Sequence, residues 1–211
     1  MEAICRPMFP RSTALVLVDI QNDFCPGGSL AVPSGDQIVA VVNSLAPAFQ
    51  FVAATEDWHP PNHISFKENG GVWPPHCVQG TRGAELHPDL NQSNIQLIVR
   101  KGFSVDKDTF EGLDAISPAG ATLDEVLRRA GVESIYVAGL ATDYCVKATV
   151  LDALKKGYEV FAITDAMRAV DVEPGDGQRA LAEMKKGGAQ LVTAGEVVNT
   201  SQKSTTGSPL S

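Results

Sequence analysis

Ser134–Val146 reads SIYVAGLATDYCV, and its two halves obey different rules. SIYVA (Ser134–Ala138) is a short β-branched and aromatic run, and the residues after Gly139 open a helix-like pattern. The same handover recurs along the chain. Strand-type runs stand at Ala14–Val18 (ALVLV), Phe51–Thr55 (FVAAT), Ile95–Val99 (IQLIV), Glu159–Ile163 (EVFAI) and Gln190–Thr193 (QLVT), with helical patterns between most of them. Ser34 with Gln37, and Thr122 with Glu125, have the spacing of capping boxes, while Gly131 and Gly157 stand where helices end in a left-handed residue. Near-continuous apolar strands alternating with helices predict a three-layer α/β/α fold with a mainly parallel six-stranded sheet.

Ligands of open α/β sheets bind beyond the carboxyl ends of the strands. Just past the ends of successive runs stand Asp19, then Asp57 with His59, then Lys101, Cys145 and Asp165. An acid, a base, a nucleophile and metal-ligand types thus fall on one edge. With Thr142 as N-cap, Cys145 is the third helical residue, where the helix dipole favours thiolate and unpaired N–H groups can hold an oxyanion. Its proton needs an acceptor, for which Asp19 is available, and Lys101 supplies positive charge. Taken alone, a cysteine after a strand is as well read as a small buried apolar residue. Charges at the ends of apolar strands favour the site.

The stretch from Pro60 to Asn94 is the longest without clear periodicity. Around it, DWHPPNH offers Asp57, His59 and His63, and WPPHC adds His76. Histidines four apart suggest two ligands on one helix face, but Pro60 and Pro61 between them forbid the helix. A loop presenting one carboxylate and imidazoles suits Zn²⁺, Fe²⁺ or Mn²⁺. His87, in LHPDL, reads as a loop histidine that bonds backbone.

Composition narrows the function from outside. The 211 residues carry a formal net charge of −8 and 44% hydrophobic residues, enough for one core and adverse to nucleic acid or an anionic membrane as partner. No apolar run approaches the ~20 residues of a spanning helix, and the N-terminal residues lack a signal-peptide pattern. Cys5, Cys25, Cys77 and Cys145 are too irregularly spaced for a disulfide framework, so a reduced, cytoplasmic protein is expected. Residues 1–198 read as a single domain, and the polar segment 199–211 as a disordered tail.

Five ordered motifs carry a resemblance: LVLVDIQNDFCPGGSL (Leu15–Leu30), DWHPPNHISF (Asp57–Phe66), WPPHCVQGTRGAEL (Trp73–Leu86), RKGF (Arg100–Phe103) and GLATDYCVKAT (Gly139–Thr149). Together they resemble the nicotinamidase/pyrazinamidase branch of the isochorismatase-like cysteine hydrolases, from about Ala14 to Val198. The resemblance implies a catalytic triad of Asp19, Lys101 and Cys145, and oxyanion-hole N–H groups on Ala141 and Cys145. It also implies a cis peptide between Leu140 and Ala141. The implied metal ligands are Asp57, His59 and His76, with His63 as a direct, water-mediated or outer contact. Zinc is the first expectation for the ion, iron or manganese the alternatives. Phe24, Trp73 and Tyr144 are placed to sandwich a flat ring, with core packing as the other reading of Phe24 and Tyr144.

The implied activity is hydrolysis of nicotinamide to nicotinate and ammonia through a cysteine thioester, within NAD salvage, with pyrazinamide as a second substrate. The metal is expected to hold the pyridine nitrogen, and a homo-oligomer is left open. Two other readings stand beside it: a cysteine amidase for another small carboxamide, and a non-catalytic redox-sensing α/β module.

Overall fold

The computed structural model describes residues 9–205, with side chains through 199. Six strands form one sheet in the order β3-β2-β1-β4-β5-β6, and every pairing is parallel. They are β1 (Thr13–Val18), β2 (Phe51–Asp57), β3 (Leu97–Lys101), β4 (Ser134–Leu140), β5 (Glu159–Arg168) and β6 (Gln190–Val192). Five α-helices lie among the described residues: α1 (Gln37–Leu45), α2 (Leu123–Arg129), α3 (Lys147–Lys155), α4 (Asp176–Gly187) and α5 (Ala194–Thr205). The expected architecture is present, with an all-parallel sheet.

Alternation along β1 explains the layering. Leu15 and Leu17 point into a core shared with Ile38, Val39, Val42 and Leu45 of α1 and Val197 of α5. Ala14, Val16 and Val18 point the other way, onto Leu123 and Leu127 of α2, Val150 of α3 and Met184 of α4. Both faces are covered, so β1 is buried at all six positions and reads as an unbroken apolar run. Gly139 allows the tightest approach within the sheet. It lies at φ 133°, and a Cβ there would meet the Val18 carbonyl oxygen at 2.1 Å.

Several local expectations need correction. Thr122 and Glu125 form the capping box of α2, but Ser34 does not cap α1. Ser34 is in the left-handed region at φ 55°, Asp36 is the N-cap, and Gln37 donates its N–H to the Ser34 carbonyl. Strand β5 continues past Ile163 through an irregular register to Arg168, so Asp165 does not end a strand. It is exposed and accepts the Ala194 N–H at 2.8 Å, near the start of α5. The boundary expected at Val198 falls inside α5, which runs on to Thr205. Residues 206–211 and Cys5 lie outside the described residues, whereas Cys25, Cys77 and Cys145 are free thiols. No helix among the described residues is long and apolar enough to cross a membrane.

Candidate active site

The strand order reverses between β1 and β4, where the chains leaving the two strands diverge and open a crevice. Around it the ends of β1, β2, β3 and the β4–α3 junction place Asp19, Asp57, Lys101 and Cys145 together. Lys101 is the hub. Its side chain is 1% exposed, and its Nζ lies 2.9 Å from Asp19 Oδ2, in contact with Asp57 Oδ1, and 3.4 Å from Cys145 Sγ. The register Asp57↔Lys101 between β2 and β3 puts ammonium and carboxylate side by side.

Asp19 comes directly after the last residue of β1 in a left-handed conformation, φ 48°, which turns it out of the ladder. Thr55, two residues before Asp57 on β2, fixes it from both ends. The Thr55 hydroxyl donates to Asp19 Oδ1 at 2.5 Å and accepts the Asp19 N–H at 3.1 Å. Oδ2 meets the Lys101 ammonium in a buried ion pair, so the two oxygens of Asp19 have separate partners, Thr55 and Lys101. Asp19, Asp57 and Cys145 each bring a ligand-type atom within 4.8 Å of the others.

Burial and charge set the proton inventory. Burial raises the Asp19 carboxyl above its ordinary range, with Lys101 only partly opposing it, which makes Asp19 a stronger base than an exposed aspartate. Burial also acts to raise Asp57, but Lys101 and then His59 outweigh it and hold it well below the carboxylate range. Burial disfavours the Lys101 ammonium, yet the two carboxylates overcome this and keep it charged. The Cys145 thiol is pushed well up, by burial first, with Lys101 opposing and Asp19 adding to the rise. That rise, set first by burial, favours the thiol and leaves its proton for a base to take.

The turn bearing the cysteine also departs from expectation. Ala141, not Thr142, is the N-cap, and Thr142–Val146 form one π-helical turn before α3. The Leu140–Ala141 peptide is cis. Tyr144 and Val146 donate to the Ala141 carbonyl at 3.1 Å, whereas the N–H groups of Ala141 and Cys145 meet no acceptor outside this turn among the described residues. Both residues line the cleft. The turn is braced from outside by buried Asp143, whose carboxylate accepts the N–H groups of Val170 (3.0 Å) and Asp171 (2.9 Å).

Asp57, His59 and His76 are all buried, and their ligand atoms lie within 4.8 Å of one another. His59 Nδ1 bonds the Gly102 carbonyl at 2.8 Å and His76 Nδ1 the Pro74 carbonyl at 2.8 Å. Each Nδ1 is thus held by a backbone carbonyl, the outer-contact pattern of metal-bound imidazoles, while His59 Nε2 faces Asp57 Oδ2, and with one carboxylate the set fits a divalent transition metal. His63 instead groups with His59 and Asp108, their ligand atoms lying within 4.8 Å of one another. Its Nδ1 bonds the Ser65 hydroxyl (2.7 Å) and its Nε2 the Lys107 carbonyl (3.2 Å), and its ring lies 4.1 Å from that of His59. His87 stays in a loop, as expected, accepting the Asp89 N–H.

A cleft bordered by Asp57, His59 and His76 on one side and by Cys145 on the other connects the two centres. Phe24, Trp73 and Tyr144 all line it, with Trp73 and Tyr144 edge to face at 5.2 Å and Phe24 near the His76 ring at 5.6 Å. Sequence reasoning missed Leu30, Val32, Phe110, Val170 and Asp108 in its walls. It also missed Thr55, whose signal was its position two residues before Asp57, on the same face of β2.

Comparison with known proteins agrees with this geometry. Residues 13–196 match the isochorismatase domain. The nicotinamidase of Escherichia coli (strain K12) is 45% identical over 200 residues, covering 85% of this chain and 94% of that protein. The crystal structure of a Pyrococcus horikoshii pyrazinamidase in complex with zinc superposes with a TM-score of 0.77 at 45% identity, over 86% of this chain and 99% of the other. That of PnC1 from L. infantum in complex with nicotinate gives 0.81 at 35% identity, over 88% and 95%. The chain belongs to the isochorismatase family, in its nicotinamidase/pyrazinamidase group.

Proposed function

We propose that the protein hydrolyses nicotinamide to nicotinate and ammonia, with pyrazinamide as a second substrate, by way of a Cys145 thioester. The observation that carries this reading is Lys101 Nζ in simultaneous reach of Asp19, Asp57 and Cys145, at the end of an aromatic-lined cleft. The E. coli relative's activity and the nicotinate bound by the L. infantum protein support the substrate. The zinc in the P. horikoshii structure supports a divalent metal held by Asp57, His59 and His76.

A bound metal would supply a Lewis acid for the ring nitrogen. Everything else falls to the chain. Phe24, Trp73 and Tyr144 hold the flat ring so that its carboxamide meets Cys145. Asp19, made basic by burial, takes the thiol proton as sulfur bonds to the amide carbon. The N–H groups of Ala141 and Cys145 receive the developing oxyanion, each worth roughly 3–4 kcal/mol in comparable sites. Protonated Asp19 passes its proton to nitrogen, the C–N bond breaks, and ammonia leaves. A water then gives one proton to Asp19 and its hydroxide to the acyl carbon. The C–S bond breaks, the proton on Asp19 returns to sulfur, and the acid leaves as nicotinate, its own proton passing to solvent or to the released ammonia. Lys101 stays charged throughout and steadies each change of charge on Asp19 and Sγ.

The test is ammonia release from nicotinamide and from benzamide, which lacks the ring nitrogen, by wild type and Cys145→Ala. Nicotinamide should be turned over well, benzamide poorly, and the variant should be inert while its metal content matches wild type. Comparable ammonia release by Cys145→Ala would refute the covalent route. Equal rates on the two amides would refute the role given to the metal.

A further inference from the structure

Gln21 takes no part in the chemistry above, yet its side chain is wholly buried at the same edge. We propose that Gln21 is a positioning residue that sets the placement of Asp57, and through it of Lys101 and the metal. The inference rests on the reading that Asp57 serves both.

The paired register of β1 with β2 ends at Leu17↔Ala54, and the chain of β1 turns aside at Asp19. Strand β2 continues to Asp57, which has Lys101 of β3 beside it but no strand on its β1 side. The Gln21 side chain takes the missing strand's place. Its Oε1 accepts the Asp57 N–H at 2.9 Å, and its Nε2 donates to the Asp57 carbonyl at 2.8 Å. A primary amide thus reproduces both bonds of a β ladder. The second Nε2 hydrogen goes to the Ala84 carbonyl at 2.8 Å, so the amide is fully used and held in one orientation.

An aspartate side chain has only two rotatable bonds, so the placement of its backbone decides where its carboxylate lies. For Asp57 that placement is shared: Oδ1 contacts Lys101, and Oδ2 lies 3.6 Å from His59 Nε2. Gln21 also reaches the triad through its own backbone, donating its N–H to the Asp19 carbonyl at 2.8 Å. One residue therefore sets Asp19 and Asp57 relative to each other, around the ammonium between them.

The experiment compares wild type, Gln21→Met and Gln21→Glu. Methionine fills the same volume without hydrogen bonds; glutamate keeps the shape but turns a carboxylate oxygen toward two carbonyls. Four quantities are measured: zinc affinity of the metal-free protein by chelator competition, kcat and KM for nicotinamide at saturating zinc, and the unfolding temperature of the metal-free protein. Zinc affinity should weaken about 10–100-fold, the range for lost outer contacts of metal ligands, and kcat should fall about tenfold or more with KM changing less. Should the glutamate variant not fold, the methionine variant decides. A lower unfolding temperature with zinc affinity and kcat both within about threefold of wild type would overturn the proposal and leave Gln21 a packing residue. A wild type that binds zinc but releases no ammonia from nicotinamide refutes the reaction instead, and the zinc measurements on the variants still decide the role of Gln21.

Discussion

Replacing Lys101 by methionine isolates the electrostatics of the site. The substitution keeps an unbranched chain of similar length in a place where the lysine is 1% exposed and removes only the ammonium. What remains is Asp19 and Asp57, 0% and 6% exposed, with no cation between them. Removing one partner of a buried ion pair typically costs 3–5 kcal/mol, which for a chain of this size lowers the unfolding temperature by about 6–20 °C.

The size of that loss should depend on pH, and the protons set its sign. In wild type the folded Asp57 carboxyl lies below its unfolded range, so it contributes stability that fades as pH falls. Without Lys101, burial and mutual repulsion raise the carboxyls above their unfolded range. Stability from such a group is present below the unfolded pKa and is lost as pH rises through the folded one. Between the two, each carboxyl protonated only in the folded variant makes stability fall by ~1.4 kcal/mol per pH unit. The gap between wild type and Lys101→Met should therefore narrow from about pH 8 to about pH 5. Denaturant titration of the metal-free proteins at both pH values measures it, and adding Asp57→Asn to the variant should restore part of the loss. A gap below about 1 kcal/mol, or one that does not change with pH, would refute this account of the buried cluster.

Other perturbations probe single contacts. Asp19→Asn keeps the shape but removes the base, and steady-state ammonia release should fall about 10²–10⁴-fold in kcat. Gly102 lies at φ 71°, and a Cβ there would come within 2.5 Å of His59 Cε1. Gly102→Ala should thus tilt that ring off its carbonyl partner and weaken zinc binding about 10–100-fold by chelator competition. Gly139→Ala drives a methyl into the Val18 carbonyl, and denaturant unfolding should register a loss of about 1–3 kcal/mol or more.

The clustering of Asp19, Asp57, Lys101 and Cys145 was legible in the sequence because each stands at or just past the end of an apolar run. A charge delivered at the carboxyl end of a buried strand has few structural uses, and Asp19, Asp57 and Lys101 all stand there. The irregular loop was legible from Asp57 and His59 at its start and from the proline pair between His59 and His63, which excludes a helix. The rest depended on tertiary detail. Ser34 and Gln37 have capping-box spacing, but spacing says nothing of Ser34's left-handed backbone, which moved the cap to Asp36. Asp165 looked like a strand end because the break in β5 register is invisible before the strand is paired. A helix dipole acting on Cys145 is a local property, whereas the burial that raises its thiol comes from tertiary packing. Gln21 gave no local sign of the partners it finds, and Thr55 gave none beyond its place two residues before Asp57.

Almost nothing at this site is held together by near neighbours in the chain. Asp19 bonds Thr55 across 36 positions, and Lys101 meets Cys145 across 44. Parallel pairings of this kind are slow to form, since each must close a long loop before any contact repays it. A refolding chain can thus regain helical signal in α3 or α4 while four strand ends are still apart. Ammonia release, which needs all four at once, is then a clock that starts only when the last pairing is made.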